Sequence, residues 1–201
     1  YVMGWLLAIE RDVISRASHT QWTPSLEPRI TGKRLGIMGA GGIGAAIALA
    51  AKPFGLEVIG LNSDGRAVEG FAACYPSADR LVFAEGIDYL VSVLPQTAQT
   101  ENLIDHEVLT RLNPRAIVIN AGRGNAVVEA DLIASLNAGH LRAAVLDVFR
   151  VEPLPPDDPL WSTAGVHITS HTAGPTPDEA VAEVFERNLK RYIGGQPLID
   201  A

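Results

Sequence analysis

Short apolar runs alternate with helix-like segments along most of this chain. From Lys33 onward, six apolar runs have the length of strands, and they lie near residues 35–38, 56–61, 89–94, 116–119, 143–147 and 166–169. Continuous apolar strands are typical of a parallel sheet that is buried on both faces. Segments between them predict helices at 43–53, 105–112 and 129–138. This alternation predicts an α/β fold.

The two ends of the chain carry segments outside this alternation. Apolar residues recur at helical spacing at the start, which predicts a helix over residues 1–17. An extended arm with two prolines follows as far as Ile30. The last segment, 176–201, predicts a further helix and a short tail.

A glycine-rich turn joins the first of these strands to its helix. Its sequence, Gly39-Ala40-Gly41-Gly42-Ile43-Gly44, has the spacing G-x-G-x-x-G. Such a turn lets the backbone approach a pyrophosphate, which the helix N-terminus attracts. A turn without a ligand is the alternative, but the strand before it and the helix after it favour a dinucleotide site. We therefore expect a Rossmann-type, doubly wound parallel sheet with helices on both faces.

The residues after the second strand bear on the choice of cofactor. An acid at this place would hold the ribose of NAD and repel the extra phosphate of NADP. Here Asn62 and Ser63 offer neutral hydrogen-bonding groups, and Arg66 can pair with a phosphate, whereas Asp64 opposes that pairing. The pattern favours NADP. NAD, and a solvated loop that selects neither cofactor, stay open.

Composition limits the classes of protein to consider. A net charge of −7 with 19% charged residues argues against a nucleic-acid or membrane-surface protein, because both need basic clusters. No apolar run is long enough to span a membrane. The single cysteine, Cys74, cannot form an intrachain disulfide, so we expect a cytoplasmic protein. We predict no metal site.

Three side chains that can bind an anion or transfer a proton follow three of the apolar runs. Arg123, Glu152 and His171 come after the runs near 116–119, 143–147 and 166–169. Parallel strands would bring them to one edge of the sheet, where open α/β sheets bind their ligands. Together they could hold a carboxylate and move a proton. Each could instead be an ordinary loop residue, although three such coincidences beside a glycine turn are improbable.

Six motifs occur in the order and at the spacing of one enzyme family. They are Gly39–Gly44, Ser92-Val93-Leu94-Pro95-Gln96-Thr97, Ile119-Asn120-Ala121-Gly122-Arg123-Gly124, Leu146-Asp147-Val148-Phe149, Glu152-Pro153-Leu154-Pro155 and His171-Thr172-Ala173-Gly174. On these motifs the chain resembles the D-isomer-specific 2-hydroxyacid dehydrogenases, most closely their glyoxylate/hydroxypyruvate reductase branch. The resemblance implies an NAD(P)-dependent oxidoreductase that acts on a small D-2-hydroxy acid or reduces a 2-keto acid such as glyoxylate or hydroxypyruvate.

The resemblance also implies a role for each site residue. Arg123 would grip the substrate carboxylate, His171 would donate or accept the proton, and Glu152 would orient the imidazole. The cofactor would lie against the glycine turn, the loop at Asn62, Ser63 and Arg66, and a further set by resemblance: Val93, Leu94, Pro95, Ala121, Gly122, Arg123, Asp147, His171, Ala173 and Gly174. For Asp147 the alternative is an acid that caps a turn at the end of its strand.

We expect residues 1–201 to form one dinucleotide-binding domain. It would comprise an N-terminal helix and arm (1–30), a Rossmann core (31–175) and a C-terminal helix and tail (176–201). By resemblance, a separate substrate domain lies upstream and outside this chain, so the chain alone would be weakly active or inactive. The first helix and the arm with Trp22 would serve a homodimer interface, or pack on their own domain.

Two other functions stay open from the sequence. One is a non-catalytic dinucleotide-sensing protein of the same fold, although a sensor needs no proton donor. The other keeps the fold but changes the hydride donor, as in a phosphite dehydrogenase-like enzyme. Formate fits less well, because it has no hydroxyl proton for a His–Glu pair to manage.

Overall fold

The computed structural model describes residues 1–24, 29–174 and 178–199. Within them, seven strands form one parallel sheet in the order β3-β2-β1-β4-β5-β6-β7. The strands are β1 (Arg34–Met38), β2 (Glu57–Asn62), β3 (Ala73–Pro76), β4 (Tyr89–Ser92), β5 (Ala116–Asn120), β6 (Leu141–Leu146) and β7 (Val166–Ile168). The predicted doubly wound parallel sheet is confirmed.

Seven α-helices accompany the sheet in the described ranges. They are α1 (Val2–Glu10), α2 (Val13–Ala17), α3 (Gly42–Ala51), α4 (Arg80–Ala84), α5 (His106–Arg111), α6 (Glu129–Asn137) and α7 (Asp178–Ile193). None of the helices in these ranges is long and apolar enough to cross a membrane. The predicted boundary between residues 175 and 176, and residues 25–28 of the predicted arm, lie outside the described residues.

Two sequence predictions of secondary structure were wrong in detail, and two elements were missed. The predicted helix over 1–17 is two helices, because Asp12 adopts a left-handed conformation with φ of 51°. The strand expected over 89–94 ends at Ser92, although the N–H of Val93 still donates to the carbonyl of Met38 at 2.9 Å. β3 and α4 were not predicted, because elements of four and five residues are too short to show a period.

Each face of the sheet carries its own hydrophobic core. Along β5, Ile117 and Ile119 pack on the face that α1 covers through Leu6. Val118 points to the opposite face, which α5 covers through Val108. This alternation follows from the two-residue period of a strand. Helices on both faces leave the ends of the strands as the open part of the domain.

Helix α1 is fixed to its own domain by a buried ion pair as well as by apolar contacts. Glu10 is only 1% exposed. Its carboxylate accepts from Lys33 Nζ at 2.7 Å and from Arg142 Nη1 at 3.4 Å. Arg142 Nη2 also donates to the carbonyl of Ile9 at 2.7 Å. The start of the chain is therefore part of the packed structure.

The carboxyl edge of the sheet contains the crevice in which ligands of such folds bind. β1 lies between β2 and β4, so the direction of winding reverses between β1 and β4. Open α/β sheets bind ligands outside the strand ends at this switch point. The glycine turn follows β1, and the segments with Arg123, Glu152 and His171 follow β5, β6 and β7.

Candidate active site

The glycine turn combines tight packing on one side with open space on the other. Gly39 has φ of +103°, and a Cβ at Gly44 would lie 2.1 Å from the carbonyl oxygen of Gly39, so the fold requires both glycines. A Cβ at Gly41 or Gly42 would meet nothing within 4 Å. Helix α3 begins here without a side-chain cap or an acidic first turn. The open space and the positive end of the helix suit a pyrophosphate.

A cavity of about 430 Å³ extends from this turn along the sheet edge. Its lining includes five residues that the sequence assigns to the cofactor: Ile43, Val93, Ala121, Ala173 and Gly174. They come from the segments after β1, β4, β5 and β7. Separate parts of the sequence thus meet at one largely apolar surface, as the ring of a bound cofactor would need.

The loop after β2 is built around Asn62. Its Oδ1 accepts from the backbone N–H of Gly65 at 2.6 Å, and its Nδ2 donates to the carbonyl of Arg66 at 2.8 Å. Ser63 is exposed. The Arg66 guanidinium is 3.4 Å from Asp64, and both side chains are more than half exposed. Asn62 therefore shapes the loop, and Arg66 presents a solvent-facing charge.

Close backbone contacts hold the segment that carries Arg123. A Cβ at Gly122 would lie 2.6 Å from the backbone nitrogen and oxygen of Leu94, and one at Gly124 would lie 2.0 Å from the carbonyl carbon of Phe149. Arg123 itself is exposed between these two buried glycines. Its Nη1 donates to the carbonyl of Gly122 at 2.7 Å. The backbone is fixed, and the exposed guanidinium has further N–H donors with which to meet a ligand.

Asn120 supports the same segment, although no role was predicted for it from the sequence. It is 1% exposed, and its Nδ2 donates to the carbonyl of Arg123 at 3.0 Å. Its Oδ1 accepts from the N–H of Gly122 at 3.2 Å. A buried amide at the end of β5, just before a glycine, was the signal that could have identified it. The preceding segment is braced similarly, since Thr100 Oγ1 donates to the carbonyl of Pro95 at 2.7 Å.

His171 and Glu152 form a direct pair. The distance between His171 Nδ1 and Glu152 Oε2 is 2.8 Å, and Glu152 Oε1 accepts from the N–H of Phe149 at 2.9 Å. Burial acts to raise the pKa of Glu152. The hydrogen bonds from His171 and Phe149 and the charges of His171 and Arg123 outweigh it, so this pKa lies below its usual value. The carboxylate stays charged and holds the ring by Nδ1, which leaves Nε2 for a substrate.

Asp147 fixes the backbone on which His171 sits. It is 1% exposed, and its carboxylate accepts from the hydroxyl of Thr169 and from the N–H groups of Thr172 and Ala173 at 2.9 and 2.8 Å. Burial acts to raise the pKa of Asp147, but these bonds together bring it below the usual value. The carbonyl of Asp147 accepts from the N–H of His171 at 2.8 Å. His171 is thereby held at φ of 55°. Contact of Asp147 with a nicotinamide carboxamide stays a prediction.

Helix α1 reaches the same loop through Tyr1. The Tyr1 hydroxyl is 2.7 Å from Thr169 Oγ1, which in turn donates to Asp147. Burial raises the pKa of Tyr1 above its usual value. A second histidine, His167, lies on β7 itself; its ring centroid is 5.2 Å from that of Trp5, and burial lowers its pKa. His167 is therefore a packed residue, and His171 is the histidine at the site.

The residues at the carboxyl edge can therefore bind an anion and exchange a proton. Arg123, Glu152 and His171 come from three neighbouring strands, and Arg123 lowers the pKa of Glu152 through its charge. Asn62, Ser63 and Arg66 lie at the end of β2, on the far side of the glycine turn. Among the residues that the structure describes, no group of three His, Cys, Asp or Glu side chains could hold a metal ion.

Residues 5–173 match the family model for the NAD binding domain of D-isomer specific 2-hydroxyacid dehydrogenases. The chain belongs to this family. It is 37% identical over 183 residues to glyoxylate/hydroxypyruvate reductase A of Klebsiella pneumoniae subsp. pneumoniae, an alignment that covers 89% of this chain and 57% of the relative. The chain thus spans a little more than half the length of this curated relative.

Solved structures of the family have the same fold. A D-isomer specific 2-hydroxyacid dehydrogenase from Xanthobacter autotrophicus Py2, in complex with NADPH and MES, superposes with a TM-score of 0.89 at 34% identity, covering 99% of this chain and 84% of that one. An NADPH-dependent glyoxylate/hydroxypyruvate reductase from Sinorhizobium meliloti, in complex with NADP and sulfate, gives 0.88 at 31% identity, covering 99% and 66%. At these identities and coverages, the predicted family is confirmed.

Proposed function

We propose that this chain is the cofactor-binding part of an NADP(H)- or NAD(H)-dependent oxidoreductase that interconverts small 2-keto acids and D-2-hydroxy acids. Glyoxylate and hydroxypyruvate are the substrates that its relatives suggest. The observation that carries the proposal is the 2.8 Å pair between His171 and Glu152, beside an exposed Arg123. A binding protein would need the glycine turn but not a histidine oriented by a carboxylate.

The side chains have distinct roles in this reaction. A bound nicotinamide supplies the hydride. Arg123 binds the substrate carboxylate with its planar set of donors. His171 donates a proton from Nε2 to the developing alkoxide oxygen, and Glu152 stabilises the charged ring and fixes its orientation. Asp147 keeps the histidine loop in the conformation that directs the ring, and its contact with the cofactor belongs to the same proposal.

NADP is the favoured cofactor. The Arg66 guanidinium is 63% exposed, and its contact with Asp64 at 3.4 Å is too exposed to be strong, so a 2′-phosphate can replace it. Two relatives with the same fold were solved with NADPH or NADP. Asn62 and Ser63 would bind the ribose. An enzyme that uses NAD would leave Arg66 without a phosphate to bind.

The three side chains need a cover to exclude water. His171 and Glu152 expose 52% and 36% of their side chains. Hydride transfer and proton positioning depend on closure around the substrate. We propose that a separate substrate domain supplies this cover, and that the exposed apolar residues Val13, Ile14 and Trp22 contribute to a homodimer interface. We also propose a cytoplasmic location.

A substrate panel tests the proposal. The full-length gene product is mixed with NADPH or NADH and with glyoxylate, hydroxypyruvate or longer 2-keto acids, and cofactor absorbance at 340 nm is followed. Turnover that is faster with NADPH supports the proposal. Binding of cofactor without turnover of any keto acid would indicate a dinucleotide sensor. Reduction of oxidised cofactor by phosphite, without keto acid reduction, would indicate a phosphite dehydrogenase-like enzyme.

A further inference from the structure

Arg150 joins three loops at the carboxyl edge of the sheet. It lies between Phe149 and Glu152 on the segment after β6. Its Nε donates to the carbonyl of Val127 at 3.0 Å, and its Nη2 donates to the carbonyls of Val127 and Asn125 at 2.8 and 3.0 Å. These carbonyls belong to the segment that begins at Arg123. The guanidinium therefore bonds the Arg123 segment directly to the Glu152 segment.

The same guanidinium also reaches the loop between β4 and α5. Nη1 donates to Glu101 Oε1 at 2.8 Å, and Nη2 donates to the side-chain oxygen of Asn102. The backbone N–H of Asn102 in turn donates to the carbonyl of Asn125 at 2.9 Å. Only a planar guanidinium has enough donors, at fixed angles, to bond all of these acceptors together.

The contacts of Arg150 are too numerous for a solvated surface charge. The side chain is 32% exposed although it carries a full charge. Its own backbone nitrogen would lie 2.5 Å from a Cβ at Gly124, so the two segments already touch through their backbones. The contact leaves no room for a side chain at residue 124. The hydrogen bonds of Arg150 hold the Arg123 and Glu152 segments together at this contact.

We propose that Arg150 is a positioning residue, which sets the Arg123 guanidinium against the Glu152–His171 pair. This inference rests on the proposed function. Arg123 holds the substrate carboxylate, while His171 delivers the proton to the neighbouring carbon's oxygen, so the spacing between the two segments sets the alignment. Arg150 touches neither substrate nor cofactor in this scheme, and it acts through Arg123.

The test compares Arg150→Met and Arg150→Lys with wild type in the full-length protein. A displacement of about 1 Å between the two segments costs on the order of 100-fold in rate. We expect kcat/KM for the keto acid to fall about 10- to 100-fold in Arg150→Met. We expect the Kd of NADPH to change less than about twofold, since the glycine turn lies on another loop. Arg150→Lys keeps the charge and part of the bonding, and it should recover part of the loss.

A double-mutant cycle separates positioning from general destabilisation. In an Arg123→Lys background, Arg150→Met should lower kcat/KM by a further factor of less than about three, because the residue through which Arg150 acts is already impaired. Arg80→Met is the matched control. Arg80 is 23% exposed and bonds both oxygens of Asp105 at 2.8 and 3.0 Å, joining α4 to α5. Its loss should lower thermal stability but not kcat/KM.

Three results would refute the positioning role of Arg150. Wild-type kinetics in a folded Arg150→Met would overturn the positioning role, as would full multiplicativity with Arg123→Lys or an equal kinetic loss in Arg80→Met. If Arg150→Met does not fold, Arg150→Lys is judged by the same criteria. Absence of turnover in the wild-type protein with every keto acid would instead remove the proposed function, and this inference with it.

Discussion

The contact between Gly124 and the segment after β6 allows a sharp prediction for Gly124→Ala. The added Cβ would lie 2.0 Å from the carbonyl carbon of Phe149 and 2.1 Å from its oxygen. Both atoms are backbone, so no side chain can swing aside. Carbon atoms in contact prefer about 3.5 to 4.0 Å, so the two loops must separate by more than about 1 Å. We expect a loss of about 1 to 3 kcal/mol in the free energy of unfolding, as for other overpacked sites.

Urea unfolding and steady-state kinetics measure the two consequences of this change. Separation of the loops moves Arg123 away from Glu152, so kcat/KM for the keto acid should fall on the order of 100-fold in the full-length protein. Gly4→Ala is the matched control, because a Cβ there meets nothing within 4 Å and α1 is helical at that point. It should raise stability by about 0.5 to 1 kcal/mol. Unchanged stability and kinetics in Gly124→Ala would refute the reasoning.

Three further predictions concern charges. Folding lowers the pKa of Asp147, so its contribution to stability is full above the usual value near 3.8 and is lost as the pH falls through the folded value. In Asp147→Asn, the free energy of unfolding should therefore decline less steeply in acid than in wild type, and an equally steep decline would contradict this role of Asp147. Glu10→Gln should lower the melting temperature and cost about 2 kcal/mol or more, because Lys33 and Arg142 lose a buried partner; unchanged denaturant unfolding would contradict this. Arg66→Gln should raise the Kd of NADPH about tenfold in a fluorescence titration and leave the Kd of NADH within about twofold. Equal effects on the two Kd values would show that Arg66 does not bind the 2′-phosphate.

The features that sequence could predict are those with a strong local signal. β1, β5 and β6 contain the apolar runs Leu35–Met38, Ala116–Ile119 and Ala143–Leu146. Helix α5 has a clear start signal in its N-cap Asp105, whose carboxylate accepts from Val108 N–H. The carboxyl ends of parallel strands meet at one edge by topology alone. The meeting of Arg123 with the His171–Glu152 pair could therefore be inferred without coordinates.

The remaining features depend on contacts between distant parts of the chain. Arg150 bonds carbonyls more than twenty residues away, and Tyr1 bonds Thr169. No local pattern encodes such pairs. Likewise, Asp147 was assigned to the cofactor by resemblance, and the bonds of its carboxylate to the histidine loop became visible only in three dimensions. The residues that position a site are harder to predict than those that perform its chemistry, because a positioning role depends on contacts with residues distant in the sequence.

The measurement that tests the central claim most directly is the turnover of His171→Gln in the full-length protein, with the Kd of NADPH measured on the same sample. Glutamine keeps polarity and approximate size but cannot donate a proton as a general acid. We predict that kcat for the keto acid falls about 10²- to 10⁴-fold. We also predict that the Kd of NADPH stays within about twofold, because the glycine turn is untouched. Turnover near the wild-type rate in a folded His171→Gln would contradict the proposed role of the His171–Glu152 pair.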